Sequence, residues 1–290
     1  MKLATKIVSI VSLAAVLAGS PLLAGDAKTF QDKVIVEAPV KWYAASLSTG
    51  WDSLYMFRGV NVLSHGAYGN NSHYGSGIYW TDLDLNWNIT PHDTLNFGGW
   101  MAFGTQNTSY KEFDFYTNYT HTIGDLALTA GYTMYYVFPT GANLYANELS
   151  AKAAYNLKFG PVTVTPSATY FFDLGPNVQS SPTKGLVKSG SSYLLLRVDG
   201  SIPIYKDIVS LAPWVAYGTT FEYNPKLDSN GSLDFYNGAN NVEVGVSLPI
   251  KINNTISVSG YVAYSYAFYN LWGTTDPSTV WGGAKVTFSF

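Results

Sequence analysis

The chain has 290 residues, no cysteine and a formal net charge of −3; only 12% of its residues are charged, while 16% are aromatic. A charge content about half the usual share argues against an ordinary soluble domain, and the aromatic content argues against a disordered chain. The acidic balance leaves no nucleic-acid footprint, and the lack of cysteine excludes disulfides, thiolate metal sites, thiol nucleophiles and a lipid-modified cysteine anchor.

The first residues read as a secretory leader. Lys2 and Lys6 are basic, Ile7 to Ala18 is apolar apart from Ser9 and Ser12, Gly19, Ser20 and Pro21 break the run, and the small residues Ala24, Gly25 and Ala27 follow. This layout predicts a signal peptide over 1–24, cut after residue 24 to 27. Its apolar stretch is too short to span a bilayer. Removing it takes the formal charge from −3 to −5. Residues 25–43 are expected to form a periplasmic segment.

From residue 44 onward the period is two, the signature of strands. Twelve are predicted, at 47–60, 77–89, 93–104, 110–121, 125–137, 146–158, 161–173, 191–203, 208–222, 239–250, 254–268 and 279–290. In the second, Tyr79, Leu83, Leu85 and Trp87 oppose Asp82, Asp84, Asn86 and Asn88; in the tenth, Val242, Val244, Val246 and Leu248 oppose Asn241, Glu243, Gly245 and Ser247. The first strand is ambiguous, because Trp51, Ser53, Tyr55 and Phe57 face one way and Asp52, Leu54, Met56 and Arg58 the other. Tyr55 and Phe57 are assigned to lipid, since a central arginine there costs about 2–4 kcal/mol.

The connections alternate in length. Thr90–His92, His121–Gly124, Phe159–Gly160, Tyr205–Asp207 and Lys251–Asn253 are tight and rich in turn-forming residues. Between them fall longer ones, at Asn61–Ser76, Thr105–Ser109, Phe138–Tyr145, Leu174–Gly190, Tyr223–Gly238 and Tyr269–Ser278. Short periplasmic turns and long external loops are the habit of outer-membrane barrels. The fold class expected is therefore all-β: one transmembrane, antiparallel, up-and-down barrel of about twelve strands over 44–290, in the outer membrane of a Gram-negative-type bacterium. The first and last strands must pair, so that no backbone edge is left open in lipid.

The stretch Trp51-Asp-Ser-Leu-Tyr-Met-Phe-Arg-Gly-Val-Asn-Val62 carries a Tyr-x-Phe-Arg-Gly pattern at Tyr55, Phe57, Arg58 and Gly59. It resembles the first strand of the TorF-like family of porin-like outer-membrane proteins, which also share a leader, a β-barrel and a terminal Phe. The resemblance implies a channel and names no substrate. The last strand, ending at Phe290, looks like the signal through which the outer-membrane assembly machinery recognises such barrels.

By their strand faces, Asp52, Asp82, Asp84, Glu112, Asp114, Glu148, Asp173, Asp199, Glu222 and Glu243 are expected to line the lumen, with Arg58, Lys152, Arg197 and Lys285 as the bases. Ten acids against four bases favour cations in a water-filled passage. Pairs are expected within strands, Arg197 with Asp199 and Lys152 with Glu148, and Arg58 is expected to face carboxylates across the pore. Gly98, Ala102, Gly131, Gly245 and Gly283 leave space inside, while Trp80, Trp100, Trp214 and Trp281 take it away. The loops at 174–190 and 223–238 are candidates to fold inward.

No enzymatic motif stands out. His65 and His73 share the first long loop and read as polar loop residues before a metal site; His92 and His121 sit at tight turns. The carboxylates Asp82, Asp84, Glu112 and Asp114 could serve an acid protease but read as wall charges. No cofactor is expected. The function expected is passive diffusion of small hydrophilic solutes, cationic or neutral. The alternatives are a barrel acting through its loops, in adhesion or structure, and an outer-membrane hydrolase.

Overall fold

The structure is a computed structural model and describes residues 42–63, 77–105, 110–138, 144–176, 189–227, 233–269, 271 and 277–290. The expected leader, the segment up to residue 41, His65, His73, residues 177–188 of the loop expected at 174–190, and Asn230-Gly231 lie outside the described residues.

The strands run β1 (Tyr43–Asp52), β2 (Met56–Phe57), β3 (Val60–Asn61), β4 (Ile78–Asn88), β5 (Asp93–Gly104), β6 (Lys111–Ile123), β7 (Leu126–Val137) and β8 (Leu144–Tyr155). They continue with β9 (Leu157–Phe159), β10 (Val162–Pro176), β11 (Ser192–Tyr205), β12 (Val209–Leu227), β13 (Leu233–Lys251), β14 (Ile256–Ala267) and β15 (Ser278–Ser289). Setting aside β2 and β3, and counting β9 as the continuation of β8, twelve antiparallel strands form one closed sheet. Closure occurs where the alternation requires it: β1 pairs with β15 from Ser46↔Ser289 to Asp52↔Gly283. Every strand then has two neighbours, which is what satisfies backbone N–H and C=O groups in a medium without water.

The period of two sorts the side chains. On β4, Tyr79, Leu83, Leu85 and Trp87 are exposed on the outer face, while Asp84 on the inner face is only 4% exposed. Outward aromatics gather at both rims. Trp42, Tyr43, Trp87, Tyr155, Phe159 and Tyr205 lie at the tight-turn rim, with Trp51, Tyr79, Phe103, Tyr170 and Phe268 at the other. Aliphatic residues such as Leu128, Leu196, Val244 and Val262 fill the band between them. This is the surface of a barrel held in lipid between aromatic girdles.

The sequence reading fails at the first strand. β1 ends at Asp52, and Tyr55, Phe57 and Arg58 leave the wall altogether. Residues 53–63 turn into the lumen and form a small hairpin, β2 against β3, paired Met56↔Asn61 and Phe57↔Val60. Its two-residue turn places Arg58 at φ 50° and Gly59 at φ 82°, the doubly positive geometry of a type I′ hairpin. Tyr55 and Phe57 therefore face the interior, not lipid. The physical reason is visible in the residues: both faces of 53–62 are partly apolar because both are packed inside the barrel.

The second difference lies at 223–238. No inward loop starts at Tyr223; β12 runs on to Leu227 and β13 begins at Leu233. Both strands bulge. Glu222, at φ 58°, Tyr223 and Asn224 interrupt β12, and Asn240 is the extra residue on β13 between Ala239, opposite Thr219, and Asn241, opposite Gly218. Asn237-Gly238 thus serves a bulged strand, not a turn.

Candidate functional site in the barrel lumen

The inward segment crosses the lumen and packs on both sides. Leu54 and Met56 pack against Trp214, Ala263 and Trp281. Tyr55 and Val62 join Leu63, Ile78, Ala102 and Tyr110, with Trp80 and Trp100 alongside. Val60 meets Tyr236, Ala267 and Leu271. The rings of Tyr55 and Trp100 stand 5.7 Å apart, tilted by 33°. In a soluble protein these contacts would be called a core; here they fill one level of a barrel.

At the hairpin tip Arg58 is locked to the opposite wall. Its Nη1 and Nη2 donate to Glu148 Oε2 and Oε1 at 2.6 and 2.7 Å, a bidentate fork in which the arginine side chain is 9% exposed and the glutamate 2%. Tyr135 and Tyr223 donate their hydroxyls to the same carboxylate at 3.1 and 3.0 Å. The guanidinium lies 3.8 Å from the Phe171 ring centre, 4.6 Å from Phe57 and 4.8 Å from Tyr223. A planar cation suits stacking and forked hydrogen bonding at once, which lysine could not supply.

The bulges explain how the tip is held from behind. A bulge re-aims side chains, and here it delivers Asn224 and Asn240, whose Nδ2 groups donate to the Arg58 carbonyl at 3.0 and 2.8 Å. The β12 bulge is itself fixed by Thr220 Oγ1, which accepts the N–H groups of Tyr223 and Asn224 at 2.9 and 3.0 Å. Asn241 accepts the Tyr193 hydroxyl at 2.9 Å. A Cβ on Gly59 would come within 2.7 Å of the Asn241 side chain, so this position needs glycine for space as well as for φ.

The lumen side formed by β15, β1 and β4 is built differently. Ser48 and Gly50 on β1 and Gly283 on β15 present almost no bulk inward, and a cavity of about 340 Å³ remains there. Asp52, Asp82, Asp84, Lys285, Trp80, Trp100 and Trp281 are among its walls. The carboxylates are fixed by phenols: Tyr261 donates to Asp52 at 2.7 Å, and Tyr116 donates to Asp82 at 2.7 Å and to Asp84 at 2.9 Å. Tyr116 can lie over β5 only because Gly98 has no side chain; a Cβ there would sit 1.9 Å from its ring.

Of the other charges expected in the lumen, Asp173 is buried on β10 directly opposite Glu148, and its Oδ1 accepts the Gly175 N–H. Glu112 and Asp114 are buried on β6, the former accepting the Tyr110 hydroxyl. Glu243 accepts the indole N–H of Trp214 at 2.8 Å. Arg197 and Asp199 pair at 2.7 Å, as their spacing on one strand requires. Glu148 pairs with Arg58 and not with Lys152. Arg58 consequently does not face carboxylates across an open pore; its charge is matched where it lies. Glu222 is half-exposed in the β12 bulge. Among the described residues no three acidic or histidine side chains converge to hold a metal. His92 and His121 stand at the periplasmic rim, where His121 Nδ1 meets Asp93 at 2.8 Å.

Sequence reasoning reached most of the carboxylates but missed Tyr135, Phe171, Tyr193, Asn224 and Asn240. The bulges that aim the two asparagines have no simple residue pattern. The one usable signal was Arg58-Gly59, a costly charge beside a residue suited to positive φ.

No family model matches the chain, and no curated protein matches it. Solved structures match it in shape. An outer-membrane channel from Pseudomonas putida F1 superposes with a TM-score of 0.55 at 12% identity, over 90% of this chain and 100% of that one. The translocator domain of the autotransporter NalP from Neisseria meningitidis gives a TM-score of 0.49 at 16% identity, over 88% and 91%. A porin, KdgM, gives 0.45 at 10%, over 84% and 99%. The likeness to the Pseudomonas protein is one of fold. With the closed sheet and its apolar band, it makes this chain an outer-membrane β-barrel of the Gram-negative type.

Proposed function

We propose that the protein is a porin-like outer-membrane channel through which small hydrophilic solutes, cationic or neutral, diffuse passively. The observation that carries this reading is the uneven filling of the lumen. The hairpin tip is locked to the wall made by β8, β10, β12 and β13, yet a cavity walled by Asp52, Asp82 and Asp84 is left beside β1 and β4. Carboxylates around a narrow watery space raise the local concentration of cations and repel anions. The resemblance of Tyr55, Phe57, Arg58 and Gly59 to the TorF-like pattern supports the same reading. It assigns no catalytic role to the lumen carboxylates, and it gives the strand ending at Phe290 to the assembly machinery.

One observation favours a second reading. The inner end of the first external loop packs with buried side chains such as Leu63, Tyr110 and Leu271, as it would in a barrel that acts only through its loops. Liposome swelling separates the two. Purified protein in liposomes should admit neutral solutes up to about the size of a monosaccharide and slow sharply above it. No swelling with any solute, together with no conductance in planar bilayers, rejects the channel.

A further inference from the structure

We infer that the cavity beside the closing seam is a binding site for a small organic cation, an ammonium group carrying a few carbons. This names the solute class of the proposed channel. It rests on that reading for the route by which the cation arrives, but not for the binding itself.

Three features of the cavity select this class. The first is charge: Asp52, Asp82 and Asp84 face a single cationic side chain, Lys285, which disfavours anionic ligands. The second is order. Asp52 and Asp82 each have an oxygen held at 2.7 Å by a tyrosine hydroxyl, Tyr261 and Tyr116 respectively, so the acids are positioned before a ligand arrives and little ordering cost remains. The third is the rest of the wall, where Trp80, Trp100 and Trp281 stand among the carboxylates. Indole faces attract alkylammonium ions, which are weakly hydrated, and tryptophan is the best of the aromatic partners.

A bare metal ion fits poorly. It needs several oxygens at once, and no three acidic or histidine groups converge among the described residues. About 340 Å³ is also far more space than an inorganic ion fills, and suits a ligand of several heavy atoms. The space itself is built into the sequence: a Cβ on Gly50 would lie 2.6 Å from the Trp80 ring, and one on Gly283 would lie 2.1 Å from Asp52 Oδ1. These glycines let Trp80 and Asp52 settle against the wall and keep the centre open.

The test is calorimetric titration of the full-length barrel, in a detergent without choline head groups, with three probes: choline chloride, its neutral carbon isostere 3,3-dimethylbutanol, and potassium chloride. Choline should bind saturably, and the neutral isostere and potassium should not. Binding should weaken at least tenfold in the Asp52→Asn, Asp82→Asn double variant. It should tighten in Lys285→Met, a change of opposite sign that misfolding cannot produce. Equal binding of the neutral isostere, no saturable binding of choline, or unchanged affinity in both variants overturns the inference. Conductance is read separately. Current without choline binding removes this site and leaves the channel, while choline binding with neither current nor liposome swelling leaves the site and removes the channel.

Discussion

The two sides of the lumen use the same residue types to opposite ends. Against β8, β10, β12 and β13, one arginine meets one glutamate in a buried fork, two phenols take up the remaining acceptor capacity, and rings cover the cation. Against β15, β1 and β4, three carboxylates share a cavity with one lysine. The first arrangement is balanced at the fork and packed, so its charges hold a segment in place. The second is unbalanced and open, so its charges set a field. Local count and packing, not the presence of charge, decide which role a lumen residue plays.

The largest expected effect breaks the first side alone. Glu148→Gln leaves Arg58 buried without its counter-ion, which should cost about 3–5 kcal/mol of hairpin docking. The chain has no cysteine, so a single Met56→Cys reports docking through its rate of maleimide labelling. That rate should rise at least a hundredfold in Glu148→Gln, together with single-channel conductance. A smaller effect is expected for Arg58→Lys, which keeps the charge and loses the planar stack and the second hydrogen bond, about 2–3 kcal/mol. Its labelling rate should fall between those of the wild type and Glu148→Gln; a rate equal to that of the wild type would show that charge alone suffices.

Gly59→Ala tests the turn instead of the fork. A side chain at φ 82° costs about 1–2 kcal/mol, and the nearby Asn241 must shift as well. Labelling should rise about tenfold. The smallest effect on docking belongs to the second side: Asp82→Asn should leave the labelling rate unchanged within twofold while lowering cation preference in reversal-potential measurements. If Asp82→Asn freed the hairpin, or Glu148→Gln changed selectivity and not labelling, the division of labour between the two sides would be wrong.

The barrel was legible in the sequence because lipid enforces a strict rule. Outward residues must be apolar and every backbone group must pair, so alternation and turn lengths exposed nine strands to within about three residues, β12 and β13 at their periplasmic ends, and the seam of β1 and β15. The rule does not reach inside the lumen. Residues 53–62 keep a two-residue period because β2 and β3 are strands, yet neither face sees lipid, and the period alone could not tell the hairpin from the wall. The turn also lacks the Asn-Gly or Asp-Gly pair that usually marks it; Arg58 takes the first left-handed position and is held there by Glu148, Asn224 and Asn240. Partners from three distant strands created that conformation, and no local signal encoded it. The seam cavity was partly legible: its carboxylates, its glycines and Trp80, Trp100 and Trp281 were all placed inside, but that they share one space follows from the closure register of β15, β1 and β4.

The most direct measurement is the reversal potential of single wild-type channels in a tenfold potassium chloride gradient. On the proposed function, a lumen packed around the Arg58–Glu148 fork and hollow on its acidic side should conduct weakly, with a reversal potential close to the potassium equilibrium value. A value close to the chloride equilibrium potential, or no current from either the wild type or Glu148→Gln, would contradict it.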